Sequence, residues 1–422
     1  MQRDFHIGNR KTLYDALPEG SIALIFAGSP PRFTADVYYP FYANRNFVYL
    51  TGLLDTCRGF ILMASKYNND VQESIFILPP DARAERWDGV RLKPEEVTQL
   101  GGIENVRYLA DFETAFHRLV NSGRYNRLAL DLQLNRGSDD PEPSHKFAQE
   151  VQQRYPDLQI SNLHLQLRRQ RTIKQPCEIA ALKQAMELTK AGIMAMMAAT
   201  TAGVYEYQLK AIFDHALTSR GVLKTAFTPI IAAGANTFCI HYDTFQGQAQ
   251  DGDMVLVDVG ACWDGLYNDV SRAWPVNGVF NARQRALYEC AYKTSEYMFS
   301  IIKPGMAMAD VDLTIRKYCF ELLQELGLVD SYENVGKLIW HGGSHHIGYD
   351  VHDQVDVLGK VLEPGMAFCV DIGIYCEEWG IGFRLEDNCL VTAEGCENLS
   401  AGIPRSIEQI EAAFSSKVVK LL

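Results

Sequence analysis

Two aspartates, Asp258 and Asp269, have the residue type and the spacing to do chemistry. They lie in two strand-like segments, 254–260 and 266–272, and the Asp264-Gly265 pair between the segments is a strong signal for a tight hairpin turn. A hairpin here would hold the two carboxylates side by side. Carboxylates held in that way are suited to bind a divalent cation.

The register of this hairpin decides how closely the two acids meet. If the loop centres on residues 263 and 264, Asp258 faces Asp269 directly. If the turn is at residues 264 and 265, Asp258 faces Ser271 and Asp269 becomes its diagonal neighbour. In both registers the two carboxylates share one face of the sheet, because side chains alternate with a period of two along a strand.

A cation is the simplest way to hold these two acids together. Two like charges side by side on otherwise apolar strands are destabilising unless positive charge lies between them. Another interpretation involves no metal: one aspartate caps a turn, or it pairs with Arg272. The residues of this segment alone leave both interpretations open.

A second pair of acids, Asp371 and Glu386, repeats the arrangement. Asp371 lies in the strand-like run 367–375, and Glu386 lies in a run that begins after a loop at residues 377–380. A turn centred near residues 378 and 379 would bring both side chains to one face. The chain therefore presents two hairpins with two inward carboxylates each, as a fold with an internal pseudo-repeat would.

Histidines cluster between the two acid pairs. Four of the ten histidines fall within twelve residues, at positions 341, 345, 346 and 352. Glycines within this run let the backbone approach a ligand closely. A single histidine in a core is usually structural, but a cluster beside two acid pairs indicates a binding or catalytic site. His241 lies apart from the cluster, and by itself its simplest interpretation is structural.

The elements that must position these residues fall into two regions. Short apolar runs alternate with helical stretches up to about residue 167, which predicts an α/β first domain. The strand-like runs are 22–26, 60–63, 74–78 and 128–132. The charged segment 168–176 ends in proline and an apolar helical period follows from Glu178, so we place the domain boundary here. Further helices are expected to about Gly221 and over residues 282–326.

Composition and charge exclude several classes of protein. The 422 residues suggest two or three domains, and 47% apolar with 22% charged residues is typical of a globular enzyme. A formal charge of −12 argues against a nucleic-acid partner, which requires a basic face. No stretch approaches the ~18 apolar residues of a membrane span, and no apolar signal-like run follows Met1.

The ten cysteines are scattered and form no Cys-x-x-Cys pair, which argues against a zinc ribbon or a redox motif. Cysteines in apolar runs, such as Cys369, are expected to act as small hydrophobic residues. These features together predict a cytoplasmic protein with no membrane partner.

Taken together, the acid pairs and the histidine cluster resemble the metal-binding half of the pita-bread metallopeptidases, which include methionine aminopeptidase, prolidase and aminopeptidase P. That family uses two aspartates eleven residues apart, a histidine in a His-Gly-x-x-His-x-x-Gly loop, and two later glutamates. The matching positions are Asp258, Asp269, His345, Asp371 and Glu386. Neighbouring features match as well, namely His241-Tyr242, Asp-Val-Ser-Arg at 269–272, Glu-Pro-Gly-Met at 363–366, and Arg384-x-Glu386-Asp387.

The first domain narrows the resemblance to aminopeptidase P. Residues 39–52 are similar to a segment near the start of aminopeptidase P, and residues 85–89 resemble its tryptophan-bearing loop. Methionine aminopeptidases generally lack such a domain. The resemblance implies an α+β fold, with an N-terminal α/β domain over residues 1–170. A catalytic pita-bread domain with a pseudo-two-fold repeat is expected over residues 171–422.

The resemblance also implies a function, which is removal of the N-terminal residue from peptides with proline in the second position. Two divalent ions are expected, and the carboxylate-rich ligand set favours Mn²⁺, with Zn²⁺ and Co²⁺ as alternatives. Asp269 and Glu386 would bridge the ions. Asp258 would hold one ion, and His345 with Asp371 would hold the other.

The remaining site residues come from the same resemblance. Three histidines are expected to bind substrate and stabilise the tetrahedral oxyanion: His241, His341 and His352. Tyr375 and Arg384 are expected beside the ligands or the substrate, and Arg384 could equally pair with a ligand carboxylate. Trp87 is expected to reach a neighbouring subunit's active site, which implies a homo-oligomer, either a dimer or a tetramer. An exposed tryptophan is otherwise more often part of a satellite core.

One position departs from the family pattern. Where the family has Glu-Pro-Gly, this chain has Asp371-Ile372-Gly373. In the family that glutamate is both a metal ligand and the acid/base, so the resemblance implies both roles for Asp371. Aspartate keeps the charge but loses about 1.5 Å of reach, and an error of about 1 Å can cost on the order of 10²-fold in rate. The alternatives are a prolidase acting on Xaa-Pro dipeptides and a catalytically weakened binding protein on the same fold. A metal-free, creatinase-like hydrolase is disfavoured because all five ligand positions still carry an acid or an imidazole.

Overall fold

The computed structural model describes residues 1–415, and the chain divides into two compact units after Arg171. Helices and strands are numbered in chain order. The helices of the first unit are α1 Arg3–Ala16, α2 Arg45–Thr51, α3 Ala82–Asp88, α4 Pro94–Gly101, α5 Phe112–Val120, α6 Pro143–Arg154 and α7 His164–Thr172, with a 3-10 turn at Leu109–Asp111. Its strands are β1 Ser21–Phe26, β2 Ile61–Tyr67, β3 Asp70–Ile77, β4 Val106–Tyr108, β5 Arg127–Leu130 and β6 Gln159–Asn162.

The first unit is built on one mixed six-stranded sheet, in the order β4-β3-β2-β1-β5-β6. Strand β1 lies within it, antiparallel to β2 and parallel to β5. A strand covered on both faces reads as a continuous apolar run, and five of the six residues of β1 are buried. Side chains such as Ile22, Met63 and Phe116 form the core beside the sheet. This arrangement confirms the expected α/β character of the first region.

Trp87 lies on the short helix α3, whereas the sequence predicted a loop. The helix begins here because the Asp81 side chain accepts hydrogen bonds from the backbone N–H groups of Arg83 and Ala84. It ends at Gly89, whose positive φ of 96° is a conformation that glycine adopts readily. The Trp87 side chain is 82% exposed, so it is not part of a satellite core.

The second unit contains most of the predicted site residues. Its helices are α8 Pro176–Ala199, α9 Glu206–Thr218, α10 Ala282–Ile301, α11 Met308–Glu325 and α12 Ile407–Ser415, with 3-10 turns at Gly234–Phe238, Tyr332–Lys337 and Glu377–Trp379. Its strands are β7 Ile230–Ala233, β8 Met254–Val259, β9 Cys262–Trp263, β10 Leu266–Tyr267, β11 Val270–Pro275, β12 Ala367–Cys376, β13 Ile381–Val391 and β14 Cys396–Asn398. They form three sheets, in the orders β11-β8-β7, β12-β13-β14 and β10-β9.

The hairpin of Asp258 and Asp269 follows the second of the two predicted registers. Asp258 pairs with Ser271 across β8 and β11, so Asp269 is its diagonal neighbour. Asp264 and Gly265 have φ values of 50° and 82°, and two positive φ angles in succession are what a type I′ turn requires. The turn chemistry therefore selects the register, and the two aspartates share a face as predicted.

The hairpin of β12 and β13 places Asp371 directly opposite Glu386. Both strands are buried along their whole length. A 3-10 turn and Gly380, with φ of 65°, reverse the chain between them. The predicted pairing of these two acids is confirmed.

Helix α8 begins two residues before the predicted start at Glu178. Pro176 occupies the first turn, where its missing N–H costs nothing. The Glu178 carboxylate accepts a hydrogen bond of 2.7 Å from the backbone N–H of Gln175. Within residues 1–415, no helix combines the length and the apolar character needed to cross a membrane.

Candidate metal centre

Side-chain contacts between the sheet of β8 and β11 and the sheet of β12 and β13 bring the two acid pairs together. The Ser271 hydroxyl donates a hydrogen bond of 3.0 Å to Glu386, and the Arg384 guanidinium donates one of 2.7 Å to Asp258. Each of the four predicted acids is at most 8% exposed. Four carboxylates from two separate hairpins therefore share one buried region.

His345 approaches these acids from a loop that runs alongside β12. The backbone N–H of Cys369, on β12, donates a hydrogen bond of 2.8 Å to the carbonyl oxygen of His345. The His345 Nε2 atom lies 3.2 Å from the Glu386 carboxylate and 3.6 Å from that of Asp269. The backbone pairing thus directs the imidazole to the place where the sequence predicted a metal ligand.

Four side chains of this region offer ligand atoms that all lie within 4.8 Å of one another: Asp269, His345, Cys369 and Glu386. Three of them are predicted ligands, and the thiol is an addition. The other two predicted ligands lie on neighbouring strand positions. Asp371 directly faces Glu386, and Asp258 is the diagonal neighbour of Asp269. The structure therefore brings all five predicted ligands together.

Arg384 holds Asp258 and Tyr375 in place from inside the site. Its guanidinium lies 2.7 Å from the Asp258 carboxylate and donates a 3.1 Å hydrogen bond to the Tyr375 hydroxyl. Burial opposes its charge, but Asp258 raises the pKa of Arg384 above its ordinary value. Arg272 pairs with Asp387 at 2.6 Å. The interpretation in which Arg272 neutralises an aspartate of the first hairpin is therefore wrong.

His341 joins this network on its other side. Its Nε2 atom lies 3.0 Å from the Tyr375 hydroxyl, and its Nδ1 atom lies 3.3 Å from Asp371. Gly373 makes this approach possible, because a Cβ there would collide with the His341 ring. Burial raises the pKa of Tyr375 to about 12, so the hydroxyl keeps its proton at neutral pH.

The two other predicted histidines lie at the exposed side of the site. The His352 ring stacks on that of His345, with centroids 4.0 Å apart and planes at 18°. Burial and then the charge of His345 lower the pKa of His352 to about 4. His241 is exposed and lies near enough for its charge to lower that pKa further. Trp87, which the sequence also predicted to lie at an active site, lies in the first unit of the chain.

The acids of this site repel one another. Burial, then Glu386 and Asp258, hold the pKa of Asp269 well above its usual range. Burial and Glu386 do the same to the pKa of Asp371. Glu386 has a lowered pKa, because the hydrogen bond and charge of His345 outweigh its burial. A buried group of carboxylates with such repulsion favours binding of positive charge.

Unpartnered atoms in the site support metal binding. Within the described residues, one carboxylate oxygen of each of Asp258, Asp269 and Asp371 is buried without a hydrogen-bond partner. Buried polar atoms are nearly always satisfied in folded proteins. Oxygen ligands combined with one imidazole are a donor set that divalent metal ions use. The residues present therefore fit divalent metal ions.

Three further residues of the site were not predicted from the sequence, namely Ser271, Cys369 and Asn388. The Asn388 amide donates to the carbonyl oxygen of Asp269 and, at 3.4 Å, to the Cys369 sulfur. Each of the three lies two residues from a predicted ligand on the same strand or its immediate extension. The period-two alternation of strands was therefore the signal that could have found them.

Comparison with known proteins agrees with this geometry. The family model of metallopeptidase family M24 matches residues 180–393, and that of the aminopeptidase P N-terminal domain matches residues 6–128. The chain belongs to metallopeptidase family M24. It is a hydrolase with the α+β pita-bread fold, and its family uses divalent metal ions.

Individual relatives cover the whole chain. The Xaa-Pro aminopeptidase of Escherichia coli strain K12 is 29% identical over 96% of this chain and 96% of its own length. A solved structure from Bacillus anthracis, assigned provisionally as an aminopeptidase P, is 36% identical with a TM-score of 0.96 over 100% of both chains. Escherichia coli aminopeptidase P with the inhibitor Pro-Leu superposes with a TM-score of 0.90, at 27% identity over 99% of both chains.

Proposed function

We propose that this chain is a Xaa-Pro aminopeptidase, which removes the N-terminal residue from peptides whose second residue is proline. The observation that supports this proposal most directly is the convergence of four carboxylates and His345 in one buried site. The relatives that span both units are a Xaa-Pro aminopeptidase and an aminopeptidase P, which agrees with the same substrate class.

We infer that the site holds two divalent ions, with Mn²⁺ as the expected metal. Asp269 and Glu386 would hold both ions, Asp258 would hold one, and His345 with Asp371 would hold the other. When bound, such ions polarise the peptide carbonyl and make a water molecule nucleophilic at neutral pH. Carboxylates outnumber the single imidazole among these ligands, which favours a hard ion.

The protein's own residues supply orientation and proton transfer. Arg384 fixes the Asp258 carboxylate, and Tyr375 links Arg384 to His341 through its hydroxyl. We assign His341 to the substrate carbonyl, where the imidazole stabilises the developing negative charge. His352 completes that role from the exposed side.

Asp371 is assigned to proton transfer. One of its carboxylate oxygens is buried without a partner, and the other lies 3.3 Å from His341. A general base must lie within hydrogen-bonding reach of the proton that it removes. Asp371 takes the proton of the attacking water and returns it to the leaving amine.

We also propose the arrangement around this site. An N-terminal domain of residues 1–170 carries Trp87, and a catalytic domain of residues 171–422 carries the metal centre. His241 binds substrate at the exposed edge. The chain works as a cytoplasmic homo-oligomer in which the Trp87 helix reaches the active site of a neighbouring subunit.

Metal content tests the ligand assignment. Protein purified without chelator and loaded with Mn²⁺ should contain up to two ions per chain by elemental analysis. Asp269→Asn and Glu386→Gln should each lose most of that metal. Asp264→Asn is the matched control, because it removes a carboxylate from the turn of the same hairpin, where asparagine tolerates the positive φ. Full metal content in both ligand variants would show that these residues do not hold the ions.

Substrate choice tests the activity. The loaded protein should release the first residue of an Xaa-Pro-Xaa peptide and leave an Xaa-Ala-Xaa peptide uncut. Preferential cleavage of Xaa-Pro dipeptides would identify a prolidase instead. Metal binding without turnover of either substrate would favour a binding protein. The side chain of Asp371, which is shorter than the family glutamate, is the feature that supports this alternative.

A further inference from the structure

The thiol of Cys369 lies among the acids and the histidine of the metal centre. Its sulfur belongs, with ligand atoms of Asp269, His345 and Glu386, to a group whose members all lie within 4.8 Å of one another. Atoms bound tetrahedrally to one ion by bonds of about 2.0–2.3 Å lie roughly 3.3–3.8 Å apart. Side-chain movements on the order of 1 Å would therefore bring the group to bonding geometry.

The strand directs this thiol into the site. Cys369 is fully buried and lies two residues before Asp371 on β12, so the two side chains point to the same face. The Asn388 amide donates a hydrogen bond of 3.4 Å to the sulfur. A hydrogen bond of this kind orients a metal ligand.

The aspartate at position 371 leaves room for a second donor atom on this face of the strand. Asp371 is absent from the group of four close ligand atoms, and its carboxylate lies 3.3 Å from His341. The glutamate that the family has at this position would reach about 1.5 Å further. Cys369 offers a donor atom on the same face, at the place where the shorter carboxylate falls short.

We propose that Cys369 is a metal ligand, and that with Asp269, His345 and Glu386 it forms a mixed oxygen, nitrogen and sulfur site. This inference rests on the proposed function only for the existence of the metal centre. Thiolate is a soft ligand, and tetrahedral sets of sulfur, imidazole and carboxylate suit zinc and cobalt better than manganese. Cys369 gives up its proton when the ion binds. One of the two ion positions would therefore take Zn²⁺ or Co²⁺ in place of the Mn²⁺ that the carboxylates alone would favour.

Spectroscopy of the loaded protein tests this ligand without relying on activity. Apo-protein titrated with Co²⁺ should develop the near-ultraviolet absorption of thiolate-to-cobalt charge transfer. Cys369→Ala should lose that absorption, and its zinc affinity should fall by at least about tenfold, the lower limit for loss of a group that merely supports a ligand. Cys376→Ala is the control, since Cys376 is buried on the same strand but faces the opposite side, and this variant should keep both properties.

X-ray absorption at the zinc edge provides a second measurement that needs no variant. Wild-type protein loaded with one equivalent of zinc per chain should show a sulfur neighbour at about 2.3 Å. Oxygen and nitrogen neighbours alone, with no charge-transfer absorption, would overturn the inference. Hydrolysis of an Xaa-Pro peptide, measured on the same samples, separates the two proposals. Hydrolysis without a sulfur signal rejects the thiol ligand and leaves the function intact, whereas failure to bind any metal rejects both.

Discussion

Asp371 is the residue on which catalytic competence depends. It faces Glu386 across the hairpin and lies beside His341, so its charge is already at the site. Holding an ion requires only a carboxylate within reach, and a small shift of β12 could supply it. Proton transfer is less tolerant, because the base must lie within hydrogen-bonding distance of the reacting water.

Restoring the longer side chain should therefore change the rate. We predict slow cleavage of Xaa-Pro peptides by the wild type and a rise in kcat of up to about 100-fold for Asp371→Glu. Asp371→Ala should abolish turnover. The control variant Asp251→Glu changes an exposed aspartate and should leave kcat unchanged. Steady-state kinetics with saturating metal measure all four proteins. A kcat that falls in Asp371→Glu would instead show that β12 already positions the shorter aspartate side chain for catalysis.

The loop of residues 341–352, which carries the four clustered histidines, and strand β12 together form the element on which the site depends. We call residues 341–352 the histidine loop. Backbone hydrogen bonds join the loop to β12 at Cys369 and Asp371. At its far end, Asp353 accepts a hydrogen bond of 3.0 Å from Lys174, and both side chains are fully buried. The backbone N–H of Lys174 also donates to the carbonyl oxygen of Gly365, which lies just before β12. One lysine thus ties the end of the loop to the start of β12.

Removing this lysine should be costly. Lys174→Met takes a buried positive partner from Asp353, and breaking a buried ion pair in this way costs about 3–5 kcal/mol. Lys183→Met is the control, because its pair with Glu397 is about half exposed and should contribute at most about 1 kcal/mol. Urea unfolding at pH 7 measures both. Equal stability of the two variants would show that the buried pair does not hold the loop.

A buried carboxylate in the first unit makes that unit sensitive to acid. Burial opposes ionisation of Asp131, but hydrogen bonds from His164, Asn46 and Asn44 outweigh it and lower its pKa. A group whose pKa is lowered by folding stabilises the native state above its unfolded pKa of about 3.9. That contribution is lost as the pH falls through the lower folded value.

The pH dependence of Asp131→Asn follows from this sign. The free energy of unfolding of the variant should lie below that of the wild type at pH 5 to 7, and the difference should shrink below about pH 4. Denaturant unfolding of both proteins, followed at several pH values, measures the difference. A gap that widens as the pH falls would contradict the assignment.

Self-association is the property of the whole molecule that the active site is expected to require. Trp87 is 82% exposed on α3, a position that offers a large apolar surface to a partner. We predict sedimentation as a dimer or tetramer of the 47.4 kDa chain. A pure monomer at micromolar concentration would remove this part of the proposal.

The Trp87→Ala variant links the assembly to catalysis. It should lower kcat/KM for Xaa-Pro peptides while its metal content stays at the wild-type level. Tyr67→Ala removes another exposed aromatic side chain of the first unit and should leave kcat/KM unchanged. Unaltered kinetics of Trp87→Ala would show that the tryptophan takes no part in the site.

Local chemistry made much of this protein predictable from its sequence. The pairing of Asp371 with Glu386 and the shared face of Asp258 and Asp269 follow from the period of a strand and the residues of its turns. The start of α8 follows from Pro176 and an apolar helical period. These features depend on residues close in sequence, so a single segment contains the information that specifies them.

Contacts between distant segments required the tertiary structure. The choice of Asp258 as the partner of Arg384, and of Asp387 as the partner of Arg272, depends on which strands meet across more than a hundred residues. The burial that places Cys369 among metal ligands depends on the same packing. Side-chain alternation tells which residues share a face of one strand, but it carries no information about which other face that strand will meet. Only the packing of the two sheets against one another decides that.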